Sequence, residues 1–423
     1  MRIIVALGLA ALATALVTGC TKVEERPFEF PTGVNYEAPL PPGVQALRKI
    51  TDPRQIPDFT PACGDLSGLR EAVSGSLHYL AKPTSQKRFP SCGKTHAEAV
   101  ASLEAFQALL DQNLAPAQMN AAIRSRFDVY MSVGCDMRGT VLATCYYTPI
   151  FAGSPVRTER FRWPLYRPPA DLVKLEDGTP TQPMPDRRTI EADNLYAGNE
   201  IVWMADPFEA YVAQIQGSVK LRMPDGQLVT YGYTANNGHT YKSVRAELVK
   251  DGKIGKRDGL PAMLRYFQAH PEDVTPYTWR NPRYVFFAVI EDGRPRGCLN
   301  EPVTPARTLA TDKNIFPAAC LAMLSTSLPQ RRGADVVTVP FAILALDQDS
   351  GGAIRAAGRC DLYLGVGDDA GDLAGRAQNE GRLYYLFLKE ATRPAPAVPA
   401  TPAAPAAPTT PAATPSAPAV EVR

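Results

Sequence analysis

The sequence predicts a mixed, β-rich chain of two domains with helices near its N-terminal end, and three observations predict it. The chain has 423 residues. With both ends set aside as non-globular, about 350 remain, enough for two domains. Apolar residues recur at helical spacing in three segments between Leu66 and Arg126. From Phe127 the texture becomes that of strands. Acids and bases nearly balance at a net charge of +2, so there is no electrostatic case for nucleic acid as a partner.

In chain order, Met1 to Gly19 carries one early base, Arg2, and an apolar run from Ile3 to Val17 that is too short to span a bilayer. Residues 1–19 therefore read as a signal peptide. Val17-Thr18-Gly19-Cys20 resembles a lipobox, which implies cleavage before Cys20, acylation of its thiol and attachment to a membrane through that lipid. Thr21, where an Asp would signal retention at the inner membrane, points to the periplasmic face of the outer membrane. Residues 20–61 are polar and Pro-rich and read as a tether.

Residues 62–150 read as a helical region followed by the first strands. Leu66, Leu69, Val73, Leu77 and Leu80 lie on one helical face. Thr95-His96-Ala97-Glu98 is a capping-box pattern, followed on one face by Val100, Leu103, Phe106 and Leu110. A third helix is expected over Pro116 to Arg126. In the strand region beyond, Tyr146 and Tyr147 read either as packed rings or as platforms for the CH face of a pyranose. Residues 151–286 form the next unit. Asp171 to Arg188 is a polar, Pro-rich connection. Tyr211 to Ser218, with Gln216, Gly217 and Ser218 at its end, leads into strands around the hairpin signal Met223-Pro224-Asp225-Gly226. Tyr231 to Ser243 collects uncharged amides, hydroxyls and rings: Asn237, Gly238, His239 and Tyr241 among them. That inventory suits sugar hydroxyl and N-acetyl groups, although composition alone favours an Asn-Gly turn. A helix is expected from about Gly259 to Ala269, and Asn281 to Phe287 returns to β structure.

The remaining fold, residues 287–391, contains a buried strand over Val336–Leu346. A Gly turn at Gly351-Gly352 follows. In the alternating run Cys360 to Leu364, Asp361 and Tyr363 share one face, and Cys360 and Leu362 the other. Residues 392–423 are a Pro/Ala/Thr repeat that cannot bury a core and is expected to be disordered. Beyond Cys20 there are seven cysteines, with no Cys-x-x-Cys pair and no histidine cluster beside them, so no metal site is expected. An oxidising compartment suggests disulfides, with Cys63–Cys92 and Cys135–Cys145 as the candidate pairs.

The C-terminal motifs carry a resemblance. Asp349-Ser350-Gly351-Gly352-Ala353-Ile354, then Asp361-Leu362-Tyr363, then Gly365-Val366-Gly367 resemble the membrane-bound lytic transglycosylase A family. Arg307-Thr308-Leu309-Ala310-Thr311-Asp312 resembles the segment with the first of the three aspartates that name its C-terminal domain. Thr144-Cys145-Tyr146-Tyr147-Thr148-Pro149 also fits, with Cys145 where the family carries Gly. The resemblance spans roughly residues 120 to 389. It implies a mainly β fold with N-terminal helices: a double-psi β-barrel with a smaller β domain inserted. It implies a lytic transglycosylase of peptidoglycan glycan strands, active without cofactor. Asp361 would be the acid/base, with Asp349 and Asp312 as supporting carboxylates. The substrate would be held by Tyr146, Tyr147, Thr148, Gln216, Gly217, Ser218, Asn237, Gly238, His239, Tyr241, Gly351, Gly352 and Tyr363. Protein partners in wall synthesis or division are compatible with it. The alternatives are a non-catalytic wall-binding barrel, and an aspartic peptidase suggested by Asp349-Ser350-Gly351. A peptidase needs two such motifs or a homodimer, and the chain carries only one.

Overall fold

The helical spacings fold as expected in the computed structural model of the chain, which describes residues 34–175, 178–255, 258–351 and 354–392. Helices α1 (Leu69–Leu80), α2 (His96–Leu110) and α3 (Pro116–Arg126) stand where the periodicity places them. Both halves of the capping box at α2 form: Thr95 Oγ1 accepts from the Glu98 amide (3.2 Å), and the Glu98 carboxylate accepts from the Thr95 amide (2.8 Å). Leu69, Val73, Leu103 and Phe106 then enter one core with Phe127, Leu321, Leu344 and Tyr385 from the strands.

The strand-rich part makes two sheets. The first begins with β1 (Leu47–Lys49), β2 (Phe127–Ser132) and β3 (Val141–Thr148). The chain leaves it to build a second sheet from β4 (Ile150–Ser154), β5 (Trp163–Tyr166), β6 (Glu200–Met204), β7 (Ser218–Arg222), β8 (Leu228–Asn236) and β9 (Val285–Val289), in the order β5-β6-β4-β7-β8-β9. Helices α4 (Arg187–Ala192), α5 (Pro207–Gln216), α6 (Val244–Lys250), α7 (Leu260–Ala269) and α8 (Val274–Thr278) accompany it. Its core centres on Phe208, Phe267 and Phe287. The chain then returns with β10 (Thr308–Ala310), β11 (Leu321–Arg332), β12 (Asp335–Asp349), β13 (Arg359–Val366), α9 (Asp368–Arg376) and β14 (Gln378–Leu388). The order β14-β11-β12-β10-β13-β3 closes on itself through β3–β14, giving a six-stranded barrel with parallel pairings β10–β12 and β13–β3. Closure leaves these strands without free edges. This is the mainly β architecture expected, a barrel with a smaller sheet inserted after β3.

Three expectations are corrected. Residues 34–61 are not a free tether: Tyr36, Ala46, Leu47 and Phe59 are buried, and β1 pairs antiparallel with β2. These residues are too few and too widely spaced along the segment for any periodicity to announce them. Neither proposed disulfide forms; all seven cysteines among the described residues are free. Cys63 and Cys92 instead pack into the helical core, and the Cys92 thiol donates to the Ile315 carbonyl. Tyr211 to Gln216 belongs to a helix, α5, begun by Pro207 at its first turn and capped by Asp206, whose carboxylate accepts from the Phe208 and Glu209 amides. The signal-peptide residues, Cys20 and the tail from 393 onward lie outside the described residues.

Candidate active site

The short strand β10 is what brings the two motif aspartates together. Ala310 pairs with Asp349 of β12 on one side and with Asp361 of β13 on the other. The two carboxylates are therefore next-but-one neighbours across the sheet, about 10 Å apart at their backbones by ordinary strand spacing. On its other edge β13 pairs with β3, placing Asp361 opposite Thr144 and Tyr363 opposite Tyr146. The alternation holds: Cys360 and Leu362 are sealed in the core, and Asp361 lies on the other face.

The two carboxylates differ in how their oxygens are used. Asp349 Oδ1 accepts from the amides of Cys298 (2.9 Å) and Ser350 (2.8 Å), and Oδ2 accepts from the Tyr146 hydroxyl (2.7 Å). Burial raises its pKa, and these donors and the Lys313 charge pull it back. Asp361 Oδ1 is buried with no hydrogen-bond partner. Burial pushes the Asp361 carboxyl up to about 7; Arg359 and Thr144 oppose that rise, and Asp349 adds to it. Of the two, Asp349 has the more hydrogen-bond donors to offset its burial, and Asp361 is the one pushed towards holding a proton near neutrality.

Around them, the Tyr146 and Tyr363 rings lie 5.1 Å apart at a tilt of 47°, and the Tyr363 and Thr148 hydroxyls meet at 3.0 Å. The Tyr147 ring packs on Gly371 of α9, where an added Cβ would come within 2.8 Å of it. Gly351 turns the chain after β12, its carbonyl accepting from the Ile354 amide (3.0 Å); Gly352 lies outside the described residues.

Asp312 occupies a different place. Its Oδ1 accepts from the Asn314 amide and side chain, and its Oδ2 from the Ala356 amide (3.0 Å). It fastens the turn after β10 to the loop before β13, where Ala356 takes a φ of 63°. Another carboxylate, Asp347, is fully buried and was not anticipated. It receives Lys313 Nζ (2.5 Å), the Thr311 hydroxyl (2.8 Å) and the Tyr385 hydroxyl (2.7 Å). Lys313 also donates to the Asp349 carbonyl, so this cluster underpins the end of β12. Its only local trace was two acids flanking Gln348 in an otherwise apolar strand; the cation that pairs with one of them is 34 residues away in sequence.

The second-sheet candidates lie at the end of α5, at the start of β7 and in the segment after β8. Asn237 is fully buried and its amide is spent: Nδ2 donates to the Pro185 (3.0 Å) and Pro282 (2.8 Å) carbonyls, and Oδ1 accepts from the Tyr284 amide (2.8 Å). It has no polar atom to offer a sugar, so its reading as a groove wall is corrected to a structural staple. Gly238, at φ 82°, turns the chain, and His239 Nε2 lies 2.7 Å from the Met184 carbonyl. Gly217 caps α5 in the left-handed conformation, leaving Gln216 exposed before it and Ser218 buried after it. Tyr241 is exposed.

Beside the barrel, a cleft of about 470 Å³ runs along β8 and β9 and the loop after β9, with Tyr233, Thr234, Ile290, Arg296 and Asn300 in its lining. The same loop supplies the Cys298 amide to Asp349. Among the described residues, no cluster of His, Cys, Asp and Glu is placed to hold a metal ion. No helix among them is long and apolar enough to cross a membrane.

Comparison with known proteins gives consistent matches. Residues 142–288 match the family model described as the MltA specific insert domain, and residues 307–387 match the 3D domain. The membrane-bound lytic murein transglycosylase A of Escherichia coli K12 is 27% identical over 262 residues, covering 61% of this chain and 69% of that protein. The crystal structure of a membrane-bound lytic murein transglycosylase from Agrobacterium tumefaciens superposes with a TM-score of 0.66 at 26% identity, over 81% of this chain and 98% of that one. The E. coli MltA solved with bound chitohexaose shares the fold, at a TM-score of 0.58 and 21% identity, over 85% of this chain and 99% of that one.

Proposed function

The chain belongs to the membrane-bound lytic murein transglycosylase A family, and from that membership we propose that it cleaves the β-1,4 bond between N-acetylmuramic acid and N-acetylglucosamine in peptidoglycan without water, using Asp361 as its single acid/base. The observation that carries this reading is the contrast between the two carboxyls: Asp361 has a buried oxygen with no partner, a setting that favours the protonated form, whereas both Asp349 oxygens are occupied.

Ordinary glycosidases need two working carboxyl groups. Asp349, accepting three hydrogen bonds, is poorly placed to activate a water as well. A transglycosylase does not need that second group. Protonated Asp361 gives its proton to the glycosidic oxygen as the bond from muramoyl C1 breaks. The C6 hydroxyl of the same muramoyl residue attacks C1 and passes its proton to the Asp361 carboxylate, closing a 1,6-anhydro ring and restoring the acid. Tethering the nucleophile in this way is worth up to roughly 7–11 kcal/mol of the barrier. Asp349, held by Tyr146 and two amides, keeps negative charge beside Asp361 and favours its protonated form. Tyr146, Tyr363 and Thr148 form the wall beside the acid. The chemistry draws on no cofactor.

Mass spectrometry of sacculus digests tests this. Wild-type protein should release 1,6-anhydromuropeptides, and Asp361→Asn none. Reducing-end products from wild type would mean hydrolysis; no products at all from an intact fold would mean a wall-binding barrel. The relatives are membrane-bound by name, and we place this chain at a membrane too. The finer placement is a Cys20-linked lipid on the periplasmic face of the outer membrane; Cys20→Ser should then shift the protein from the membrane fraction to the soluble one.

A further inference from the structure

The N-terminal segment, read from sequence as a tether, reaches the strand that carries Asp361. Tyr36 is buried, its hydroxyl donates to Glu380 of β14 (2.6 Å), and its carbonyl lies 2.4 Å from where a Cβ on Gly358 would sit. Only a glycine at 358 lets the segment seat against the start of β13. One residue on, Glu37 Oε1 meets the Arg359 guanidinium at 3.2 Å. Arg359 is two residues before Asp361 on the same face of β13, and its other terminal nitrogen lies 3.4 Å from Thr144 Oγ1, the residue paired with Asp361. The Arg359 Nε is buried with no partner, as is Asp361 Oδ1.

We propose that Arg359, braced by Glu37 of the N-terminal segment, is a positioning residue that sets how tightly Asp361 holds its proton. This rests on the assignment of Asp361 as the acid. Arg359 favours the Asp361 carboxylate, and Glu37 partly neutralises Arg359, so the two act on the acid in opposite senses. The other titratable groups near Asp361 are Asp349 from β12, Cys145 and Tyr146 from β3, and Cys360, which points to the opposite face of the same strand. β10 contributes Ala310 and no charge. All of these stay the same in the variants below. Among the described residues, Arg359 is thus the cation that acts on Asp361, and its strength depends on a side chain 322 residues away.

The pH dependence of kcat/KM for anhydromuropeptide release separates this role from a merely structural one. Asp361 must start protonated, so the rate falls on the alkaline side as it ionises. In Arg359→Met that limb should move up by about one pH unit, the usual size for losing a close opposite charge. In Glu37→Gln it should move down by about 0.3 unit, since the pair is half exposed and screened. Arg359→Lys should stay close to wild type. Opposite displacements are not what general damage produces, and Glu37 is a surface residue whose replacement leaves the core intact. If both variants shift the same way, or neither shifts while Asp361→Asn is inactive, the role of Arg359 is wrong and the acid assignment stands. If Asp361→Asn keeps the wild-type rate, both fall together.

Discussion

The barrel strand carrying Asp361 and the Asn237 turn of the second sheet both bury polar side-chain atoms and treat them oppositely. At the turn, every polar atom of a fully buried Asn is matched: three strong hydrogen bonds tie Pro185, Pro282 and Tyr284 to one amide. At the barrel mouth, a carboxyl oxygen and a guanidinium nitrogen are buried without partners. Leaving a buried polar group unmatched costs about 1–3 kcal/mol, so β13 tolerates locally what the Asn237 turn avoids. The family resemblance drew both stretches into the candidate site; which polar groups remain uncommitted is what distinguishes them.

The strongest challenge to that contrast is Asp361→Asn. It should lower anhydromuropeptide release by about 10²–10⁴-fold, the usual share of a general acid, without loss of folded protein by circular dichroism. Next is Lys313→Met, which leaves Asp347 buried without its cation and should cost about 3–5 kcal/mol in urea unfolding; a smaller loss would mean that Thr311 and Tyr385 suffice to hold the charge. Asn237→Ala should lose about 2–3 kcal/mol by orphaning its three backbone partners, yet keep the wild-type kcat at a temperature where it remains folded. A drop in kcat instead would return Asn237 to the substrate groove.

The smallest effect concerns pH and stability. Folding raises Asp361 from the ordinary carboxyl range to about 7, so its protonated form favours the fold. That contribution is complete below about pH 4 and is lost as the pH rises through about 7. Asparagine at 361 does not titrate. The Tm of Asp361→Asn relative to wild type should therefore climb by a few degrees between pH 4 and pH 8, and a flat difference would show that Asp361 ionises freely in the folded protein.

Much of this was legible in the residues alone. Short-range rules placed α1, α2 and α3, because a cap, a spacing of apolar residues and a stop are all written within a dozen positions. The motif Asp349 to Gly367 pointed to the carboxylates that the barrel later gathered. Helix α5 was not anticipated, since Tyr211 to Ser218 was read only as leading into strands, although Asp206 and Pro207 just upstream were a start signal. The packing of Tyr36, Leu47 and Phe59 had no local signal at all.

The chain by itself determined helices α1, α2, α3 and α7, its alternating strand around Asp361 and the family to which its motifs belong, since each depends on neighbours a few positions apart. Only the closed barrel decided that Ala310 would sit between Asp349 and Asp361, that Lys313 would neutralise Asp347, and that Glu37 would reach Arg359. A carboxyl's proton affinity depends on what surrounds it in three dimensions, and strands far apart in sequence supply those surroundings.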